Sequence, residues 1–297
     1  MQFSWAGIMF YSLACAALWA STGIFIKIID DLSIDQIIFW RFIIAAMGSF
    51  FIIKKFVLNG IDKTYAIMPL LMTVYYIAAS YSFYFSPIAI AALIIGISPL
   101  FTLMIRFFLK EKINSGEVLG FIIAFIGLGL FLSESSNMQG YTLQSILAGS
   151  GMALAAAFVR AVYSYIIWHK NKVGETINLE NINLHTFFIG IVIFIPFSSM
   201  QSSTYDLDLY TITGLIGLAI VATLIPNILN NKASRAISPS VHNTIGMSTP
   251  IFASIMAWIF LGEAQTLSSA LYMLIVVAGI FVTTRRPRQS VKLPTRD

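Results

Sequence analysis

Residues 239–263 read PSVHNTIGMSTPIFASIMAWIFLGE. The stretch is apolar, roughly the length that crosses a bilayer as a helix, broken midway by Pro250 and closed by Leu261-Gly262-Glu263. Residues 87–111, PIAIAALIIGISPLFTLMIRFFLKE, have the same design, with Pro99 midway and Leu109-Lys110-Glu111 at the close. Pro87 and Pro239, Leu109 and Leu261, and Glu111 and Glu263 are each 152 positions apart. Gly127 and Gly279 repeat that interval in the next apolar runs, while Pro99 and Pro250 miss it by one. The interval is close to half of the 297 residues, so the chain reads as two copies of one unit. Proline-broken apolar segments at matching places in two halves of a membrane protein point to a transport site between the halves.

Composition supports that setting. The chain is 58% hydrophobic and 10% charged, with mean hydropathy +0.84. A soluble domain carries about 25% charge, and this much apolar surface does not fit into one aqueous core. The net charge of +5 does not indicate nucleic acid, because the basic residues sit in short gaps between apolar runs. The single cysteine, Cys15, lies inside the first run, which excludes a disulfide framework or a cysteine metal site within one chain. Residues 1–26 have no basic leader, and their apolar run is too long for a secretory signal. It reads as a first membrane helix.

Ten apolar runs of near-spanning length emerge, at 5–29, 34–57, 65–85, 88–109, 116–133, 142–168, 184–202, 210–231, 239–261 and 266–284. With the N-terminus inside, the inner loops and tail hold 14 of the 18 basic residues. The outer loops then hold Asp30, Asp31, Asp35, Glu134, Asp206, Asp208 and Glu263. Both termini are therefore expected on the cytoplasmic side of a bacterial-type inner membrane. Five runs per unit is odd, so the second unit enters the bilayer upside down. The expected fold is an all-α polytopic membrane protein with ten transmembrane helices in two inverted five-helix repeats. The first repeat covers 1–137, the second 138–284, and 285–297 form a basic tail.

These residues also carry a resemblance. Leu18-Trp19-Ala20-Ser21-Thr22-Gly23, Phe39-Trp40-Arg41-Phe42 and the two Pro…Pro…Leu-x-Glu units resemble the drug/metabolite transporter superfamily in its EamA-type branch. The resemblance covers nearly the whole chain and is best over 87–131, with an echo at 239–281. It implies a central cavity lined by helices 1, 3, 4, 6, 8 and 9. It also implies that Arg41, an arginine shared by members with different substrates, is a structural charge, expected to pair with Asp30, Asp31 or Asp35. Gly262 and Ala264 depart from the family pattern, which often has a charge after the glutamate.

Arg160 is the sharpest single residue. It lies about 12 Å from the inner end of the sixth run at 1.5 Å per residue. A membrane-buried cation faces a cavity or a partner, and no acid lies at similar depth in any run. It is expected to bind a substrate carboxylate or phosphate; the alternative is a snorkelling or helix-pairing arginine. Arg106 and Lys27, near helix ends, are expected to snorkel. Polar stripes at helical spacing run along the third segment (Thr73, Tyr76, Ser80, Tyr84), the eighth (Thr223, Asn227, Asn230) and the first (Ser12, Cys15, Trp19, Thr22). The ninth adds His242, Asn243, Ser248 and Thr249 around Pro250. One stripe alone reads as helix–helix glue; several, in helices the resemblance assigns to the cavity, read as a polar cavity. The candidate cavity residues are Arg160, Trp19, Tyr76, Ser80, Tyr84, Tyr163, Asn227 and Asn243, with Pro99 and Pro250 as hinges. His242 reads as a packing or surface histidine rather than a proton-coupling site, and His185 as interfacial. Gly116, Gly120 and Ala124, and Gly149, Ala153 and Ala157, have the spacing of close helix packing.

Other classes fit less well. Ala148-Gly149-Ser150-Gly151 lacks the first glycine of a Gly-x-Ser-Gly site and lies in the small-residue run, against an intramembrane serine hydrolase with His185 or His242 as its base. There is no zinc motif, P-loop or dinucleotide fingerprint, so no metal or cofactor is expected. A channel or scaffold remains a third class, separable by counter-flow. The reading is a secondary carrier, not an enzyme. It moves a small organic metabolite, an amino acid or related compound, by export through alternating access. Nucleotide-linked metabolites are the second choice. The partners are that substrate and the bilayer, with no nucleic acid, and the chain is expected as a monomer or weak homo-oligomer.

Overall fold

In hydrocarbon, a backbone N–H or C=O without a partner costs several kcal/mol, so a chain this apolar must bond within its own segments. The computed structural model meets that demand with helices. It describes residues 5–29, 31–52, 63–135, 140–175, 177–198, 208–261 and 266–285, and among these there is no strand. Asp30, Asp206, Glu263, Lys54, Lys55 and tail residues 286–297 lie outside the described residues.

The order is α1 (Trp5–Ile28), α2 (Ile34–Ile52), α3 (Lys63–Phe85), α4 (Ile88–Ile95), α5 (Ser98–Phe108) and α6 (Ser115–Ser135), then α7 (Leu143–Lys172), α8 (Leu179–Ser198) and α9 (Leu209–Ile216). A π-helical segment (Gly217–Leu224) leads into α10 (Ile225–Ala236), followed by α11 (Pro239–Gly246), α12 (Thr249–Leu261) and α13 (Leu267–Thr284). Nine spans among the described residues are long and apolar enough to cross a membrane; α4–α5 count as one, and α9 to α10 as another. The tenth expected run is the pair α11 and α12, each half too short to cross alone. The chain is an integral membrane protein of two inverted five-helix repeats. α4–α5 and α11–α12 are the fourth members of the two units.

The two broken helices are broken alike. α4 ends at Gly96 and α5 starts with Pro99 in its first turn. α11 ends at Met247 and α12 starts with Pro250 in its first turn. Tight turns precede each proline: Ile97 N–H donates to the Ile94 carbonyl at 3.0 Å, and Met247 and Ser248 N–H to the Thr244 and Ile245 carbonyls, each at 3.0 Å. Proline has no N–H for the carbonyl four residues back, so the ladder resets there. The breaks keep the 151-residue spacing of the prolines.

Helix starts follow side-chain chemistry more closely than hydropathy. Thr142, Asp208, Ser238 and Thr266 cap α7, α9, α11 and α13 by accepting an N–H three residues on. α8 begins five residues before the apolar run expected at 184, because Asn178 accepts from Asn181 N–H at 3.1 Å and starts a polar first turn.

The small-residue stripes set helix spacing. A Cβ on Gly120 would fall 2.1 Å from Thr283 Oγ1 and 2.4 Å from its backbone nitrogen. One on Gly279 would fall 2.3 Å from the Ala124 nitrogen. Only glycine lets α6 and α13 approach so closely. Gly149 similarly lets α7 lie on Ser86 after α3. The charged and polar ends of the helices, and the interior between the halves, remain to be filled, and they are filled differently.

Candidate functional site

The interior cavity is built where the two broken helices face each other. It is lined by Trp19 and Thr22 of α1, Arg41 of α2, Tyr75, Tyr76, Ala79 and Phe83 of α3, and Ala92, Ile95 and Gly96 at the end of α4. Arg160 of α7, Asn243 and Gly246 of α11, Met247, and Thr249 and Pro250 of α12 complete it. Both helix breaks therefore open onto the cavity. Its volume is about 50 Å³. Since one water needs about 10–15 Å³ on this measure, it has room for a few waters and none for a metabolite. Loading a substrate requires the lining helices to part.

Arg160 is 6% exposed. Its guanidinium carbon stands 4.8 Å from the centre of the Trp19 ring. None of its N–H groups donates to a described residue, and its Nε is fully buried. Gly246 makes room for it: a Cβ there would lie 2.4 Å from Arg160 Nη2. Other polar atoms around the cavity are also buried without a partner among the described residues. They are Trp19 Nε1, both amide atoms of Asn243 and Thr249 Oγ1. An unpartnered buried cation costs several kcal/mol, and each neutral group about 1–3 kcal/mol. Such a set, gathered in one cavity, is what a polar ligand would satisfy.

The remaining sequence candidates have other places. Tyr163 donates to Asn231 Oδ1 at 2.9 Å, away from the cavity lining. Asn227 donates to Asn183 Oδ1 at 3.0 Å, which Asn231 also reaches at 2.8 Å. The eighth run thus packs on α8 and contributes nothing to the lining; the second run enters in its place through Arg41. Ser80 stands behind the lining, accepting from Arg41 Nη1 at 2.9 Å. Tyr84 leaves the interior: it is 46% exposed, one residue from the end of α3, where the stripe runs past its packed neighbours. Pro99 is buried in the first turn of α5 beside the cavity residues Ile95 and Gly96. His242 is pinned between Ser12 Oγ at 2.9 Å and Asn230 Oδ1 at 2.8 Å, both ring nitrogens engaged in packing.

Two arginines differ from the sequence reading. Among the described residues Arg41 pairs with no acid; Asp30 lies outside them. Its Nε donates to Thr223 Oγ1 at 2.5 Å and its Nη1 to Ser80. Asp31 accepts instead from Thr211, and Asp35 from Tyr81. The π-helical turn is what presents Thr223, whose hydroxyl donates to the Leu218 carbonyl five residues back at 2.6 Å. No hydropathy signal marks that turn; the Thr223 stripe was its only trace. Arg106 does not snorkel. It is 4% exposed at the end of α5, where its Nη1 donates to Glu117 and to Ser240 Oγ, and its Nη2 to the Lys112 carbonyl at 2.6 Å. Glu111 stands 3.7 Å from its Nε and also meets Tyr165, His169 and Lys172 of α7. Lys27, by contrast, reaches the Tyr141 hydroxyl at the opposite end.

This architecture has known relatives. An "Uncharacterized transporter" of Archaeoglobus fulgidus is 22% identical over 297 residues, covering 92% of this chain and 95% of that protein. "Uncharacterized transporter YdfC" of Bacillus subtilis is 24% identical over 195 residues, covering 65% of this chain and 61% of its own. "Uncharacterized transporter YxxF" of the same organism is 27% identical over 212 residues, covering 69% and 64%. A solved chain, described only as "Crystal structure of protein", superposes with TM-score 0.76 at 15% identity, covering 95% of this chain and 98% of that one, which speaks for the fold. The profile of the EamA-like transporter family matches twice, over residues 6–133 and 147–285. With two matched five-helix units enclosing one cavity, the chain belongs to the EamA-like transporter family.

Proposed function

We propose that this transporter is a secondary carrier, working by alternating access, for a small organic metabolite that presents an anionic group to Arg160. Amino acids and related compounds are the first substrate class. Export is the proposed direction, across a bacterial-type inner membrane with both termini cytoplasmic. The observation that carries the reading is Arg160 itself: a buried guanidinium at the cavity with no hydrogen-bond acceptor among the described residues. The paired breaks at Gly96 and Met247 support the mechanism, since the points where each helix ladder resets line the same cavity that must widen. Pro99 and Pro250 are the hinge residues in this scheme.

The test is counter-flow in proteoliposomes, which separates a carrier from a pore. Arg160→Ala is expected to weaken apparent affinity for an anionic substrate at least about tenfold, or 1.4 kcal/mol. An unchanged affinity would remove Arg160 from the site. Inside-out vesicles check the direction.

A further inference from the structure

The carrier reading uses one cation, yet the cavity holds two. Arg41 is 1% exposed and lines the same space as Arg160. Thr223 and Ser80 hold its Nε and Nη1, while its Nη2 donates to no described residue. Among the described residues, the ion pairs belong to Arg106, His169, Lys170 and Lys172, and none reaches Arg41 or Arg160. No described acid lines the cavity.

Each guanidinium lies against an aromatic face. Arg160 lies over the Trp19 ring and Arg41 over the Tyr76 ring, each at 4.8 Å. Between those rings stands Tyr75, with its centroid 5.8 Å from Trp19 and 5.4 Å from Tyr76. One continuous aromatic wall thus joins the two cations. A ring holds a guanidinium by its face and leaves the N–H edge free for in-plane bonds. On Arg160 that edge can take two oxygens of a carboxylate or phosphate at once, while Arg41 offers its remaining Nη2.

We propose that the transported molecule is a small dianion, one anionic group on Arg160 and the other on Arg41, spanning the Trp19–Tyr75–Tyr76 wall. This rests on the carrier reading and moves its first substrate class from ordinary amino acids to dianionic metabolites. A monoanion leaves one buried cation uncompensated. An ordinary amino acid adds an ammonium to a cavity that no described acid lines. Two carboxylates, or a carboxylate and a phosphate, neutralise both arginines. The unpartnered Asn243 amide and Thr249 hydroxyl serve the polar middle of such a molecule.

The full chain in lipid nanodiscs is titrated with succinate and with succinamate, in which a neutral amide replaces one carboxylate. Sulfate against chloride gives a second pair, and Trp19 fluorescence and thermal stabilisation report binding. Succinate is expected to bind at least about tenfold tighter than succinamate. Arg41→Gln should bring that ratio towards one by weakening succinate more than succinamate, and Arg160→Gln should weaken both. Should Arg41→Gln fail to fold, Arg41→Lys keeps the charge and should keep a dianion preference; loss of the preference there overturns the proposal. So does a wild-type ratio near one, or a ratio indifferent to Arg41→Gln. Arg160-dependent counter-flow of succinamate with no dianion preference would leave the one-anion carrier standing and sink the second-cation inference alone. Counter-flow of only neutral metabolites would take both arginines out of the site.

Discussion

Arg106 and Arg160 are almost equally hidden, at 4% and 6% exposure, and their surroundings are opposite. Arg106 has Glu117, Glu111, Ser240 and the Lys112 carbonyl around it. Arg160 has an aromatic face and no acceptor among the described residues. The Arg106 cluster ties α5 and α6 of the first repeat to α7 and α11 of the second, through Tyr165, Lys172 and Ser240. It closes one end of the bundle with its charge balanced internally. At the other end the joints are mostly polar, such as Thr211 on Asp31 and Thr266 on Glu134. Burial alone does not separate the two arginines; what separates them is whether the described residues supply the counter-charge.

That contrast can be broken. The largest effect is expected from Arg106→Ala, which strands Glu117 in a buried setting, takes one cation from Glu111 and should lower stability by about 3–5 kcal/mol. Thermal unfolding in detergent reads it. Arg160→Ala, removing an uncompensated charge, should in the same assay unfold no earlier than the wild type; a comparable loss would show that Arg160 is scaffold too.

Asn243→Asp sharpens the contrast from the other side by giving the cavity an acid of its own. Anion counter-flow should fall at least about tenfold while stability holds or rises, because the carboxylate occupies the cations internally. Undiminished anion transport would mean the cavity is not an anion site.

The smallest effect is expected from Gly246→Ala. The new methyl meets only the tip of the Arg160 side chain, which can swing away. Stability should change by less than about 1 kcal/mol, whereas apparent affinity should weaken a few-fold because the guanidinium has moved. An affinity equal to wild type would show that Arg160's position against α11 does not matter.

Much of the fold was legible along the chain. Solvation in lipid permits few backbone solutions, so hydropathy and the 152-residue echo were enough to find the spans and their two units. Pro99 and Pro250 marked the breaks, although the tight turns lie just before them at Ile97 and Met247. The site was only partly legible. Arg160 stood out by depth without an acid, which is a property of sequence. Arg41 did not, because its partners Thr223 and Ser80 are 182 and 39 positions away and one of them sits on a π-helical turn. Tyr84 and Asn227 were misleading for a related reason. A stripe says which residues share a helix face, not which neighbour that face meets or where the neighbour ends.

The sequence by itself determined the solvent, the number of crossings, the repeat and the presence of a deep cation, since each follows from local polarity and spacing. Only the tertiary structure decided which cations are neutralised and which face the cavity. Ion pairing and hydrogen bonding depend on distances of about 3–4 Å between helices far apart in the chain, and these exist only once the helices have packed.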